Sequence, residues 1–147
     1  MNFRPPEIWL ISGPDRADRN ALARRVGVHL GNAAHIDGEA LWDQLVAGRA
    51  TPEVDEAEAD RQYELSIRNQ CLLARSYAEA GFTPVLDFPV ATTHHLEAYQ
   101  NYLIGAHLRL AIIDPPEAID GAGIEVSPDA TAEAVVARAE DALLRRV

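Results

Sequence analysis

The sequence predicts an α/β fold with three layers, in which helices cover both faces of a five-stranded parallel sheet. Short apolar segments alternate along the chain with longer segments whose apolar residues recur every three or four positions. Nearly continuous apolar strands separated by helices are typical of a parallel sheet that is buried on both faces. A length of 147 residues with 48% hydrophobic content suits one globular domain over residues 1–147.

The first half of the chain contains two of the expected strands. Leu22, Val26 and Leu30 recur at four-residue spacing and predict an amphipathic helix. Tyr63 and Ile67 begin a similar series that continues through a longer segment. The expected elements are strands at 8–11 and 33–36, a helix at 18–30, a short helix containing Leu41, Trp42, Leu45 and Val46 and ended by Gly48, and a long helix from about 56 to 80.

The second half of the chain supplies the other three strands. We expect these strands at 83–88, 108–113 and 123–126. Thr92 or Thr93 can cap a helix that runs to about residue 104, because a threonine side chain accepts a hydrogen bond from the first turn. Asp129 or Ser127 is the expected cap of a last helix, in which Val135, Ala139 and Leu143 face inward.

Charge and composition limit the classes of partner. The net charge of −10 argues against nucleic acids and anionic membranes, because such surfaces are bound through clustered positive charge. The apolar run at 8–11 is too short for a signal peptide or a membrane span, which favours a cytoplasmic protein. The single cysteine, Cys71, lies on an apolar helix face and is expected to be buried. We expect a small molecule or a protein as partner, and a homo-oligomer is compatible with the sequence.

Polar residues follow several of the predicted strands. Ser12, Asp37, Asp87 and Asp114 each stand at a predicted carboxyl end. Because the carboxyl ends of parallel strands meet at one edge of the sheet, these residues are expected to line one rim. A ligand site is therefore expected at this edge.

The segment after the first predicted strand matches part of the phosphate-binding template G-x-x-x-x-G-K-[ST]. In that template a glycine-rich loop and a helix N-terminus surround phosphate with N–H groups, the lysine neutralises it and the hydroxyl reaches Mg²⁺. Gly13 matches the first glycine, but Asp18, Arg19 and Asn20 occupy the last three positions. All 13 basic residues are arginine, so no lysine elsewhere can substitute. Asp15 or Asp18 is expected to occupy the helix N-terminus in place of an anion.

Four segments together resemble the small P-loop kinases, above all the chloramphenicol phosphotransferase-like group, with shikimate and gluconate kinases as more distant relatives. The segments are IWLISGP, HIDGEALWDQLVAG, RNQCLLARSYAEAGFTPVLDF and LRLAIIDPP. The resemblance implies a three-layer P-loop fold with a five-stranded parallel sheet. It also implies ATP with Mg²⁺ as cofactors and phosphate transfer to a hydroxyl of a small molecule.

The resemblance also implies roles for individual residues. Gly13, Asp18, Arg19 and Asn20 correspond to the nucleotide-binding loop. Asp37 corresponds to the general base for the acceptor hydroxyl, although capping of the following helix explains it equally well. Asp87 corresponds to a residue that holds Mg²⁺ or its waters, and a solvated strand end is the alternative. Arg61 and Arg68 lie where substrate-binding residues are expected, and surface ion pairing is the alternative.

Two departures from the family pattern argue against phosphotransfer. The first is the loop, where Asp18 brings a negative charge towards phosphate and the planar guanidinium of Arg19 replaces a lysine. The second is the lid, because the kinases carry a lid with arginines between strands four and five, whereas no arginine or lysine occurs here between Arg109 and Arg138.

Three functional hypotheses follow from these departures. The leading one is a pseudoenzyme with a degenerate Walker A loop that acts as a binding or regulatory protein and needs no cofactor. The alternative is an active ATP- and Mg²⁺-dependent phosphotransferase for an antibiotic or metabolite, using Arg19 in place of lysine. A third is binding of a neutral small molecule in the open cleft.

The adjacent histidines His94 and His95 are not expected to bind a metal ion. On a helix, neighbouring side chains point about 100° apart, unlike the pair at i and i+4 that typically shares a metal.

Overall fold

A computed structural model describes residues 5–139 and confirms the α/β fold. The strands are β1 (Glu7–Ser12), β2 (Ala33–Asp37), β3 (Thr83–Asp87), β4 (His107–Ile113) and β5 (Ile124–Val126). The helices are α1 (Arg16–Leu30), α2 (Gly38–Trp42), α3 (Glu56–Glu79), α4 (Thr93–Tyr102) and α5 (Ala132–Ala139), and a single 3₁₀ turn covers Glu117–Ile119. Within the described range, none of the helices is long and apolar enough to cross a membrane.

The five strands form one parallel sheet in the order β2-β3-β1-β4-β5. In the register of the sheet, Leu10 stands beside Leu86 and Leu110 at its centre. The last residues of β2 and β3, Asp37 and Asp87, are direct neighbours. The pairing therefore places two of the predicted site residues side by side at the carboxyl edge of the sheet.

Each face of the sheet is covered by two helices, which completes the predicted three layers. Successive strand residues point to opposite faces, so Leu10 joins one core cluster while Trp9 and Ile11 join the other. The first cluster includes Ile67 and Cys71 of α3 and residues of α4, and Cys71 is buried as expected. The second cluster contains residues of α1 and α5, namely Leu22, Ala23, Val26, Val135 and Ala139.

α2 is shorter than predicted and ends at Trp42 rather than near Gly48. Val46, which the spacing placed on an apolar helix face, is 93% exposed. The side chain of Gln62 in α3 explains the difference, because its amide nitrogen donates to Gly48 O at 2.9 Å and its oxygen accepts from Ala50 N at 2.8 Å. These bonds hold the chain against α3 in a non-helical path.

The helix caps are side chains that accept a hydrogen bond from the first turn. Thr92 caps α4 by accepting from His95 N at 3.2 Å, as predicted. The cap of the last helix is Thr131, which accepts from Ala134 N at 3.2 Å, so the expectation of Asp129 or Ser127 was wrong. Those two residues instead form a turn of their own before the helix. The predicted inward position of Leu143 lies outside the described residues.

A buried polar network fixes the start of α2. The Tyr99 hydroxyl donates to Gln70 Oε1 at 2.6 Å, and the Ser66 hydroxyl donates to Gly38 O at 3.0 Å. Burial raises the pKa of Tyr99 well above its ordinary value, so the hydroxyl stays protonated and can donate. A Cβ atom on Gly38 would lie 2.5 Å from Gln70 Nε2 and 2.6 Å from Phe88 Cδ1. Only glycine allows this close approach, which sets the position of the neighbouring Asp37.

We predict opposite effects for alanine at two glycines. Gly38→Ala should lower the free energy of unfolding by about 1–3 kcal/mol, because the added methyl group overpacks a buried contact. Gly27→Ala is the control, since its Cβ would have ordinary contacts of 3.5 Å or more within α1. That substitution should raise stability by up to about 1 kcal/mol through helix propensity. Urea unfolding measures both, and a neutral Gly38→Ala variant would contradict the close approach.

Candidate functional site

The candidate site lies at the carboxyl edge of the sheet, where the loops after β1, β2, β3 and β4 meet. Ser12, at the end of β1, accepts a hydrogen bond from Val90 N at 2.9 Å and so fixes the loop after β3. Of the four predicted strand-end residues, Asp37 and Asp87 are direct neighbours at this edge.

The loop after β1 is short because α1 begins early, at Arg16. Asp15 is the N-cap residue, and its side chain accepts from Asp18 N at 2.9 Å while its carbonyl accepts from Arg19 N at 3.1 Å. The four positions between the two template glycines are residues 14–17, and Asp18 stands at the second glycine position. The structure places Arg16 to Asp18 of this segment in the helix. Of the two acids expected at the helix N-terminus, Asp15 is the one that caps it.

Gly13 has a packing reason to be glycine. A Cβ atom at this position would lie 2.9 Å from Ile113 Cβ and 3.3 Å from Ile113 O at the end of β4. The loop therefore passes so close to the neighbouring strand that a side chain would collide with it. The match of Gly13 to the phosphate-binding template is thus explained without a ligand.

Arg19 is the central residue of the site. Its side chain is fully buried, and each of its three guanidinium nitrogens donates to an acceptor within the protein. Nε donates to Asp87 Oδ1 at 3.2 Å, Nη1 donates to Gly13 O at 2.7 Å, and Nη2 donates to Glu39 Oε1. A buried arginine requires such partners, because an unpaired charge in the interior is very costly.

Asp87 is surrounded by donors, in contrast to the solvated strand end that was the alternative interpretation. Besides Arg19, Asn20 Nδ2 donates to both carboxylate oxygens of Asp87, at 3.0 and 2.9 Å. His35 Nε2 also contacts Asp87 Oδ2. N–H groups thus occupy the directions from which a Mg²⁺ ion would approach these oxygens.

Asp37 combines two interactions. Its Oδ1 accepts from Glu39 N at 3.0 Å and Ala40 N at 3.3 Å, which caps α2, and its Oδ2 accepts from Arg16 at 2.9 and 3.2 Å. Partial burial opposes ionisation of Asp37, but the bonds from Arg16 and the two amides prevail and lower its pKa. The hydrogen bond to Asp37 in turn raises the pKa of Arg16, with a further contribution from Asp43. The capping role is therefore realised, and the role of general base stays a prediction.

Two members of the cluster were missed from the sequence. Glu39 pairs with Arg19 and lies 3.8 Å from Arg16, so it links these two arginines near the start of α1. His35 faces the same side of β2 as Asp37, two residues later, and reaches Asp87 on the neighbouring strand. The alternation in His35-Ile36-Asp37 was the available signal, because residues two apart in a strand share a face.

Arg61 and Arg68 lie apart from the contacts of this cluster. Arg61 is exposed and forms an ion pair with Glu58 on the same helix at 2.7 Å. This pairing lowers the pKa of Glu58 to about 2. Arg68 is exposed on α3 beside a small cavity that Cys71 and Tyr102 also line.

A cleft of about 220 Å³ lies next to the Arg19 cluster. It is bordered by the loops after β1, β3 and β4, with lining residues Gly13, Pro14, Pro89, Val90, Ala91, Asp114 and Pro116. Most of this lining is apolar, and Asp114 supplies its one charged side chain. Asp114 also has a positive φ of 50°, a conformation that aspartate tolerates better than most residues.

The segment between β4 and β5 is fully described and short. From residue 114 to residue 123 it forms one 3₁₀ turn, and Ile119 of this turn is buried in the core. This segment contains no arginine or lysine. It therefore supplies no positive charge above the cleft.

Similarity to known proteins is found at the level of structure. No family model matches the sequence, and neither does any curated protein. The APS kinase of Mycobacterium tuberculosis superposes with a TM-score of 0.66 at 17% identity, over 94% of this chain and 97% of that one. A sugar kinase from Janibacter sp. HTCC2649 gives a TM-score of 0.63 at 11% identity, over 93% and 94%. The chain has the P-loop kinase fold.

A third structure agrees with the resemblance drawn from the sequence. The tunicamycin resistance protein of Deinococcus radiodurans superposes with a TM-score of 0.51 at 17% identity, covering 94% of this chain and 80% of that one. Identities this low establish the P-loop kinase fold alone. The chemistry must be argued from the residues at the carboxyl edge, because one fold can carry many functions.

We predict that the Arg19 ion pairs contribute strongly to stability. Arg19→Met should lower the free energy of unfolding by about 3–5 kcal/mol, because it leaves the buried carboxylate of Asp87 and the half-buried one of Glu39 without their cation. Arg19→Met/Asp87→Leu should cost less than the sum of its single substitutions. Arg24→Met is the control on the exposed face of α1, with an expected change within about 0.5 kcal/mol. Additive effects in urea unfolding would contradict the pairing.

We predict a pH-dependent contribution from Asp37. Its pKa is lower in the folded protein than the ordinary 3.8, so its ionised form stabilises the fold above that pH. Asp37→Ala should cost about 1–2 kcal/mol at pH 7 through the lost cap, whereas Asp37→Asn keeps a capping side chain and loses the charge. The stability difference between wild type and Asp37→Asn should shrink as the pH falls below 3.8. A constant difference in urea unfolding between pH 7 and pH 2.5 would contradict this assignment.

Proposed function

We propose that this protein is a P-loop kinase fold with a degenerate nucleotide loop, which does not transfer phosphate from ATP and acts as a binding or regulatory protein. The observation that supports it most is the buried guanidinium of Arg19, whose three nitrogens all donate to protein acceptors. A phosphate could recruit this charge only if Arg19 first left Asp87 and Glu39. Both carboxylates would then face an incoming anion without this cation.

The N-terminus of α1 supports the same proposal. A phosphate loop works because its N–H groups point at the anion and the helix dipole favours negative charge. Here Asp15 already accepts one of these N–H groups, and Asp18 adds a second carboxylate in the first turn. A triphosphate would have to displace one acid and tolerate the other.

Hydrogen bonds within the protein also occupy the residues that would hold Mg²⁺ in a nucleotide site. Asn20 stands where the template has a hydroxyl ligand of Mg²⁺, and it donates to Asp87 through its amide nitrogen. An amide nitrogen with hydrogens repels a cation. Phosphoryl transfer depends on Mg²⁺ and on arginine or lysine side chains around the transferred group. The segment between β4 and β5 contains no arginine or lysine.

The cleft beside the cluster is the proposed place of binding. Its apolar lining and modest volume suit a small, mostly apolar molecule, and Asp114 at its rim favours a neutral or cationic group over a phosphate. A small segment of a protein partner could present the same chemistry.

An active phosphotransferase is the second candidate. The exposure of Arg16 and its pairing with Asp37 favour it. The Arg16 side chain is 41% exposed at the start of α1 and pairs with Asp37, the residue in the position of a general base. In an active enzyme Arg16 would contact phosphate, Asp37 would accept the proton of the acceptor hydroxyl, and ATP and Mg²⁺ would be required. This candidate predicts that Asp37→Ala abolishes ATP-dependent turnover.

The test of the proposal is calorimetry and thermal shift with ATP, ADP and Mg²⁺. Wild type should show no saturable stabilisation at millimolar nucleotide. Asp18→Gly/Arg19→Lys should gain nucleotide-dependent stabilisation, because it removes one loop carboxylate and restores a flexible ammonium. Arg24→Lys on the exposed face of α1 is the matched control and should remain unresponsive. ATP binding to wild type with micromolar affinity, together with ADP release in the presence of a hydroxyl compound, would overturn the proposal.

A further inference from the structure

A second cluster of metal-ligating side chains lies on the side of the molecule where α3 packs against α4. Asp60 and Glu64 are one turn apart on α3, so both side chains stand on the same face. His94 and His95 belong to the first turn of α4, which Thr92 caps. This cluster of four side chains is separate from the Arg19 cluster.

The two helices bring these groups within coordinating reach of one another. One ligand atom each of Asp60, Glu64 and His94 lies within 4.8 Å of the other two. His94 Nε2 is 3.6 Å from Glu64 Oε2, and His95 Nε2 is 2.9 Å from Asp60 Oδ1. The sequence predicted no metal ion at these histidines from their own spacing, and the carboxylates that now accompany His94 come from α3.

We propose that Asp60, Glu64 and His94 form a binding site for a divalent transition-metal ion, best suited to Zn²⁺. Two carboxylates neutralise the charge of the ion, and an imidazole selects it over Mg²⁺ and Ca²⁺, which prefer oxygen ligands. Ligand atoms around tetrahedral Zn²⁺ are about 3.3–3.6 Å apart, given bonds of about 2.0–2.2 Å. Small rotations of these accessible side chains reach that spacing from the distances observed.

His95 acts as a positioning residue for this site. Its Nδ1 contacts the Thr92 hydroxyl at 2.9 Å, and its Nε2 reaches one oxygen of Asp60. In the proposed site the other oxygen of Asp60 would serve as the metal ligand. Hydrogen bonds of this kind orient metal ligands and increase the affinity of a site.

Metal binding at this position would join α3 to the first turn of α4. His95 stacks on Tyr63 with ring centroids 4.3 Å apart, and Tyr63 stacks on Phe88 at 4.6 Å. Phe88 directly follows Asp87, at the start of the loop that borders the cleft. The ion would therefore stabilise the loop after β3 as well as the contact between the helices.

The test uses the full, untagged chain after treatment with a chelator. Titration with Zn²⁺ alone should show one site per chain by calorimetry. The Tm should rise by about 5–10 °C when free Zn²⁺ exceeds its Kd a hundredfold, and a chelator should reverse the shift. Mg²⁺ at the same concentration should leave the Tm unchanged. Equal rises of the Tm with Mg²⁺ and Zn²⁺ would indicate unselective binding to an acidic surface and would overturn the proposal.

Four variants assign the site. His94→Asn and Glu64→Gln should each weaken Zn²⁺ binding at least tenfold, and both positions are accessible enough that the fold should be retained. His95→Asn should weaken it about tenfold or more. His29→Asn is the matched control, because His29 also lies beside a carboxylate, 3.8 Å from Glu133, but outside the cluster. Zn²⁺ affinity within twofold of wild type in both His94→Asn and Glu64→Gln would overturn the proposal, as would a wild type that does not bind.

Discussion

The buried ion pair between Arg19 and Asp87 is the interaction on which the carboxyl edge of this protein depends. Arg19 belongs to α1 and Asp87 ends β3, so the pair joins a covering helix to the second strand from the edge of the sheet. A charge at 0% exposure persists only when its partners are in place, because desolvation costs several kcal/mol per ion. Glu39 is a second acidic partner of Arg19, and Asn20 and His35 contact Asp87.

The need to keep the buried charge of Arg19 paired favours a single arrangement of the carboxyl edge of the sheet. Arg19 donates to the carbonyl of Gly13, and Gly13 has no room for a side chain against Ile113, so the loop after β1 is held from both sides. α2 is held in turn, through the capping carboxylate of Asp37 and the close contact of Gly38 with Gln70. Movement of any one of these groups would expose or unpair another, which makes the edge a connected unit.

Most of the fold could be predicted from local pattern, and the contacts of the site could not. Short apolar runs identified all five strands, since burial on both faces of a sheet leaves a strong signal. Apolar residues recurring at near four-residue spacing identified the helices. The end of α2 was wrong because Gln62, some 14 residues beyond Gly48, holds that segment by hydrogen bonds. Asp37 and Asp87 were recognised at their strand ends, but the direction of the Arg19 side chain depends on acceptors 20 and 68 residues away. Pairings at such separations follow from topology and not from spacing.

The charged groups at the carboxyl edge connect the fold of this chain with its chemistry. A nucleotide loop needs an empty helix N-terminus and a cation that is free to meet phosphate, and both are unfavourable when no ligand is bound. Asp15 and Asp87 remove these two costs from within the protein, one by accepting an N–H group and the other by pairing with the guanidinium. Under the proposed function, the residues that weaken anion binding are therefore the same ones that stabilise the unliganded domain. A P-loop kinase fold released from the need to bind ATP would gain stability by this route, with its sheet and helices unchanged.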